Sequence, residues 1–147
     1  MQEKVVLERL TVLPDRIEAL VRIADPRYRF TSQEFIEQTL ERFPTLPYHA
    51  CRNEVGPTFA AVMEHTSIPH LLEHLVIDIQ THEYAKNNPN AREETAFTGT
   101  TQWSAEDPQV ALVRVSFLDD LIALGAFKEA LRFINQVIVK RSEYDHE

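Results

Sequence analysis

Cysteine and basic residues are scarce in this chain. Its 147 residues include a single cysteine, Cys51, so no disulfide can form within the chain. Lysine and arginine together number 15 against 23 aspartates and glutamates, which gives a formal net charge of −8. A negative surface repels the phosphates of nucleic acids. The charge balance therefore argues against DNA or RNA binding. It serves solubility and would suit a cationic ligand.

Long apolar segments are also missing. No apolar run approaches the ~20 residues of a membrane-spanning helix, and the opening sequence MQEKVVLERL has no basic-then-apolar signal pattern. Together with the lone cysteine, these absences lead us to expect a cytoplasmic protein that makes no membrane contact. The length suits a single domain over 1–147 with one moderate core.

Hydrophobic periodicity divides the chain into short strands and helices. Strands are predicted over 4–13, 48–53 and 109–118, the last from strict alternation in QVALVRVSFL. Helices are predicted over 14–24, 31–43, 56–66, 67–86 and 119–140. The polar residues 87–107 predict a long loop, and 141–147 a flexible tail. We therefore expect an α+β fold, in which a small, mostly antiparallel sheet packs against helices.

The most informative segment is IPHLLEHLVIDIQ, residues 68–80. Helical spacing places His70, Glu73 and His74 on one face. Two imidazoles one turn apart can share a zinc ion, and a neighbouring glutamate can act as general base toward a water on that ion. The order His-x-x-Glu-His is the inverted metalloprotease motif. The alternative is two helix histidines on a partly exposed face, each hydrogen-bonded to a neighbour.

The surroundings of the motif favour a cleft or a metal. Leucine, isoleucine and valine cover much of the circumference of this helix, so we expect it to be well buried. Buried polar groups need partners, which a cleft or an ion would supply. Asp78 is a candidate for orienting His74 as an outer carboxylate. We assign His82, one turn further on, to the solvated face.

A catalytic zinc site needs a third protein ligand and an open position for water. Asp119 and Asp120, at the start of the last predicted helix, are the leading candidates for that ligand. Glu129 is the next candidate, and the upstream pair of Glu64 and His65 is a third. Without a metal, Asp119 and Asp120 are explained as acidic residues that complement the dipole of a helix N-terminus.

His49 and Cys51 lie two residues apart on a predicted strand, so their side chains would point to the same side. They are candidates for approaching the metal or for lining the binding site. The alternative for Cys51 is a small buried residue without a chemical role.

Three segments carry a resemblance to a known family. They are HAC (49–51), GPTFAAVMEHTSIPHLLEHLVIDIQ (56–80) and FTGTT (97–101), followed by a strand and a closing helix. Over roughly 48–138 the chain resembles the N-terminal domain of cyanophycin synthetases. In that family the His-x-x-Glu-His helix looks like that of pitrilysin-type metallopeptidases.

The resemblance implies a function for each matching residue. It makes His70 and His74 zinc ligands and Glu73 the general base, places an acidic pair near Asp119 and Asp120, and puts Thr101 in the loop beside the binding site. The ATP-dependent modules of the larger synthetases are missing, and the chain has no glycine-rich phosphate loop. Ligase activity is therefore excluded for this chain alone. Gln102 stands where the family's loop carries an arginine suited to substrate carboxylates.

Three functions follow from these observations. The first is a zinc-dependent hydrolase acting on a peptide or an arginine-rich, cyanophycin-like polymer, which a negative surface would attract. The second is a non-catalytic binding or scaffolding domain with the same fold. The third is a homo-oligomer in which the histidines are structural and the apolar last helix packs against a second copy.

Overall fold

The fold is α+β, as the sequence predicts. The computed structural model describes residues 3–51, 55–89 and 97–145, with side chains as far as Arg141. Within these ranges the four strands are β1 (Val5–Val12), β2 (Arg16–Ile23), β3 (Gly99–Trp103) and β4 (Val110–Ser116). The three α-helices are α1 (Gln33–Arg42), α2 (Ile68–Asn87) and α3 (Asp120–Asp145). None of the described helices is long and apolar enough to cross a membrane.

The strands form one antiparallel sheet in the order β1-β2-β4-β3. Alternate residues of β2 are buried, and they pair with buried residues of β4, as in Ile17 with Val115 and Ala19 with Val113. Since successive side chains on a strand point to opposite faces, this register directs one apolar face toward the helices. The short strand β3 lies at the edge, beside β4.

Helix α2 is the centre of the core and contacts β3, β4 and α3. Ser67 caps its N-terminus, because its Oγ accepts a hydrogen bond from the backbone N–H of His70 at 3.2 Å. Pro69 lies in the first turn, where proline is tolerated. Ile68 and the three leucines of the helix are fully buried, and Ile77 is partly buried. The motif residues therefore lie on a rigid, deeply packed element.

The prediction of a helix over 14–24 is wrong. These residues form the turn after β1 and then β2, in which Ile17, Ala19, Val21 and Ile23 are buried in strict alternation. The sequence RIEALVRI contains good helix formers, but β2 pairs with β1 on one side and β4 on the other. Two ladders of backbone hydrogen bonds outweigh the small helical preference of a few side chains.

Three further element predictions need correction. The predicted helix over 56–66 consists of two 3-10 turns, Phe59–Ala61 and Met63–His65. In place of the strand over 48–53 there is a 3-10 turn, Leu46–Tyr48, and one bridge between Ala50 and Thr58, while 52–54 lie outside the described residues.

The predicted loop over 87–107 contains β3, and 90–96 are outside the described residues. Helix α3 continues to Asp145, so most of the predicted tail is helical. The strands predicted over 4–13 and 109–118 are confirmed, as are the helices over 31–43, 67–86 and 119–140.

Candidate metal centre

A cleft of about 1330 Å³ opens between the first half of α2, strand β3 and the segment around Cys51. Its lining combines the motif with residues from distant parts of the chain: Cys51, His70, Glu73, His74, Thr101 and Trp103. The structure therefore places the sequence-predicted histidines and glutamate at a site that a small molecule or a peptide can reach.

Cys51, His70 and His74 offer three ligand atoms that lie within 4.8 Å of one another. In the described part of the chain they are the only cluster of three such residues. The Sγ atom of Cys51 is 3.5 Å from Nε2 of His70, close to the roughly 3.5 Å between two ligands of a tetrahedral zinc ion. Three protein ligands leave the fourth position open, as in catalytic zinc sites. The donor set therefore suits zinc.

The second nitrogen of His74 is held by a chain of polar groups. His49 lies 2.8 Å from Oδ1 of Asp78 through Nε2, and its Nδ1 is 3.3 Å from Nδ1 of His74. A carboxylate only accepts hydrogen bonds, so His49 donates from Nε2 and its Nδ1 is left as an acceptor. His74 then donates from Nδ1, which leaves the lone pair of its Nε2 available to a metal.

His70 is also hydrogen-bonded through its outer nitrogen, here to a hydroxyl that can either donate or accept. Its Nδ1 lies 2.8 Å from the hydroxyl of Thr66, and its Nε2 faces Cys51. Metal-binding histidines usually donate their other ring N–H to a protein acceptor, which fixes the tautomer and the orientation of the ring. The ring of His74 also stacks on Phe59, with 4.2 Å between the ring centres. Both imidazoles are thus positioned before any ion binds.

Asp78 anchors the chain that leads to His74. Its Oδ1 accepts a hydrogen bond from Thr45 at 2.6 Å, in addition to the one from His49. Burial alone would raise the pKa of Asp78, but the hydrogen bonds from His49 and Thr45 outweigh burial and lower it. The sequence analysis expects direct contact with His74, and the structure places His49 between them. His82 is half-exposed and contacts both Thr45 and Asp78.

Glu73 is held between Thr101 and His74. The hydroxyl of Thr101 donates to Oε1 of Glu73 at 2.7 Å, while Oε2 is 3.5 Å from Nε2 of His74. Only 4% of Glu73 is exposed, and burial raises its pKa to about 7. A carboxyl with this pKa both accepts and releases a proton near neutral pH. Glu73 therefore has the position and the proton affinity of a general base.

The two imidazoles remain neutral at physiological pH. Burial, assisted by the neighbouring His70 and His49, lowers the pKa of His74 to about 3. Burial also lowers the pKa of His70. A metal ligand must be the neutral imidazole, so neither histidine has to lose a proton to bind an ion.

The missing side chain of Gly99 leaves room for the side chain of Glu73. A Cβ atom at this position would lie 2.7 Å from Cγ of Glu73 and 3.0 Å from the backbone oxygen of Arg114. The first distance is shorter than real Cβ contacts, and the second is a tight contact with the backbone of β4, so Glu73 would have to shift. In the sequence, this glycine stands out only as part of FTGTT, and no role is predicted for it.

Replacing Gly99 with alanine is expected to destabilise the fold by about 1–3 kcal/mol, because the new methyl group displaces the buried Glu73. Thermal unfolding measures this change. Gly125→Ala is the matched control, since a Cβ there meets nothing within 4 Å and alanine favours a helix by up to ~1 kcal/mol over glycine. Equal stabilities of the wild type and Gly99→Ala would contradict the expectation.

The acidic residues expected to supply the third ligand lie elsewhere. Asp119 accepts hydrogen bonds from the backbone N–H groups of Leu121 at 2.9 Å and Ile122 at 3.3 Å, so it caps α3. Asp119 and Asp120 are exposed, and the structure does not bring them to the two histidines. Glu129 pairs with Arg42 at 2.8 Å. The helix-dipole explanation accounts for Asp119 and Asp120.

The other candidates also have defined places. Glu64 and His65 are exposed in a 3-10 turn, and the ring of His65 stacks on Phe30 with 5.4 Å between centres. Gln102 is exposed on β3 and does not line the cleft. Cys51 and His49, both candidates for approaching a metal or lining the site, have different positions. Cys51 is the third member of the cluster, and His49 contacts the outer nitrogen of His74.

Comparisons with protein-family models, with curated proteins and with solved structures each found no match. The resemblance to the cyanophycin synthetase N-terminal domain therefore stays a prediction.

Proposed function

We propose that this chain is a zinc-dependent hydrolase of the inverted metallopeptidase type. Cys51, His70 and His74 would hold the ion, and Glu73 would act as the general base. The observation that carries the proposal is the meeting of these four side chains in one cleft, with Nδ1 of each histidine engaged by a group on the outer side. The cyanophycin synthetase resemblance adds support, because it assigns the same roles to three of the four.

Glu73 carries out the proton transfers of the proposed reaction. A zinc ion held by Cys51, His70 and His74 would supply Lewis acidity toward a water and the substrate carbonyl. Oε2 of Glu73 takes the proton as the water oxygen bonds to the carbonyl carbon, while Thr101 keeps Oε1 in place. When the C–N bond breaks, Glu73 passes the same proton to the leaving amine. Glu73 ends the cycle as it began.

The charge of the chain supports a substrate with basic side chains. A net charge of −8 attracts cations over a distance set by the ionic strength. We therefore propose a peptide or an arginine-rich polymer as substrate.

Metal analysis of the tag-free protein tests the proposal first. We expect about one zinc per chain in the wild type and none in His70→Ala, because two remaining ligands hold zinc weakly. A chelator should abolish the cleavage of arginine-rich peptides, and added zinc should restore it. Absence of zinc, even after zinc is supplied, would overturn the proposal. One zinc per chain without cleavage would instead indicate the binding or scaffolding domain.

A cysteine nucleophile is the second candidate, because Cys51 lies 3.5 Å from His70, and Thr66 orients that imidazole. The lowered pKa of His70 works against it, since a thiolate is stabilised by a protonated imidazole. Activity that survives the chelator and is lost on alkylation of Cys51 would support this alternative.

A further inference from the structure

Arg29 lies beside Trp103, where the chain passes from β2 toward α1, next to the cleft but not among the residues that line it. Its backbone oxygen accepts a hydrogen bond from the N–H of Ile68 at 2.9 Å, at the start of α2. The carbon of its guanidinium group lies 4.2 Å from the centre of the Trp103 ring. Trp103 and Ser67, the neighbour of Ile68, both line the cleft. Arg29 therefore stacks on Trp103, a residue that lines the cleft.

The guanidinium group of Arg29 has no polar partner within the residues that the structure describes. Its Nε is buried and makes no hydrogen bond, and no carboxylate there forms an ion pair with it. Buried polar groups normally have partners, and an unpaired buried donor is costly. Five other arginines do pair with acidic side chains: Arg16, Arg22, Arg27, Arg42 and Arg114.

Strand β3 relates this arginine to the general base. Thr101 and Trp103 are two residues apart, so their side chains share one face of the strand, separated by roughly 7 Å. Thr101 donates a hydrogen bond to Glu73, and the ring of Trp103 contacts the guanidinium group of Arg29. A substrate that presents its scissile bond to Glu73 would thus reach Trp103 with a group one or two residues away, and the guanidinium group of Arg29 stacks on that ring.

We propose that Arg29, stacked on Trp103, binds a carboxylate of the substrate. A guanidinium group offers paired N–H donors in a plane, which match the two oxygens of a carboxylate, and stacking on an aromatic ring fixes that plane in advance. The carboxylate is either the C-terminal one or an acidic side chain beside the scissile bond. The inference rests on the proposed function for its substrate class, but the contact itself needs neither zinc nor catalysis.

Trp103 gives a direct signal for this contact, because it is the single tryptophan of the chain. The probes are acetylated Ala-Arg-Ala-Ala as the free acid, the same peptide as the C-terminal amide, and the amide with aspartate at the third position. They are titrated against the full chain in the Glu73→Gln background, which keeps the probes intact, and tryptophan fluorescence is recorded.

We expect the free acid or the aspartate peptide to bind about 10- to 100-fold more tightly than the neutral amide, as charge-assisted hydrogen bonds typically provide. Whichever peptide shows the gain identifies the source of the carboxylate. In Arg29→Gln the gain should vanish, and Arg29→Lys should keep part of it. Arg27→Gln is the matched control, because Arg27 is exposed and pairs with Asp25, and it should keep the full gain.

Equal binding of all three probes would overturn the inference, and this comparison needs no Arg29 variant. A gain that persists in a folded Arg29→Gln protein would overturn it as well. The two proposals fail separately. A carboxylate preference that depends on Arg29, found without zinc or cleavage, would support carboxylate binding by Arg29 and contradict the hydrolase proposal. Zinc-dependent cleavage without that preference would support the hydrolase proposal and contradict carboxylate binding by Arg29.

Discussion

Replacing Glu73 with glutamine is expected to leave about one zinc per chain and to lower kcat by roughly 10²–10⁴-fold, the usual contribution of a general base. The amide has the same shape and can still accept the hydrogen bond from Thr101 through its oxygen. It cannot take a proton from water. The measurement is cleavage of an arginine-rich peptide beside metal analysis of the same preparation. Wild-type cleavage by this variant would contradict the proposed mechanism.

The pH dependence of the folding stability provides the control that the Glu73→Gln variant is folded. The pKa of the buried Glu73 is about 7, against 4.5 for the ordinary group. Between these values the unfolded chain has lost the proton and the folded chain retains it, so the folded state loses stability as the pH rises from about 4.5 to 7. The total loss is about 3 kcal/mol. Without metal, the variant should therefore be more stable than the wild type at pH 8. This difference in stability should disappear below pH 4.5.

Replacing Cys51 with alanine is expected to weaken zinc binding by more than the 10- to 100-fold that loss of an outer partner of a metal ligand costs. In the proposed site Cys51 is the third ligand, beside His70 and His74, so its removal would leave only the two histidines. Competition against a chromophoric zinc chelator measures the affinity.

The double variant Asp119→Asn with Asp120→Asn is the matched control for Cys51→Ala. These two residues are the ligands that the sequence favours, while the structure places Asp119 at the start of α3 as a helix cap. The double variant should bind zinc like the wild type. If Cys51→Ala kept the wild-type zinc affinity and the double variant lost it, the third ligand would be Asp119 or Asp120 and not Cys51.

The motif on α2 could be predicted because it depends only on helical geometry. His70, Glu73 and His74 share a face in any helix, and the serine cap with the following proline fixes where this helix begins. The same holds for β4, whose alternation is strict. Local spacing carries all the information in these cases.

The sequence lists Cys51 among several candidates for approaching a metal but could not single it out, because its position depends on the path of a segment without regular structure. The sequence analysis expects a strand that carries His49 and Cys51 on one side. In the structure, 3-10 turns replace it, and the two side chains serve different imidazoles, with Cys51 at His70 and His49 at His74. Gly99 was missed for a similar reason, since its role appears only when β3 lies against Glu73.

The ligands of the proposed site differ in how firmly the fold holds them. His70 and His74 project from the helix at the centre of the core, which opens only when most of the domain does. Cys51 lies outside the helices and strands, and its N–H donates a hydrogen bond to the oxygen of Pro57 at 3.1 Å. Segments of this kind open locally at low free-energy cost. An ion would therefore enter and leave when Cys51 moves away while His70 and His74 stay in place. Its exchange rate would follow the opening of the segment around Cys51 and not the unfolding of the protein.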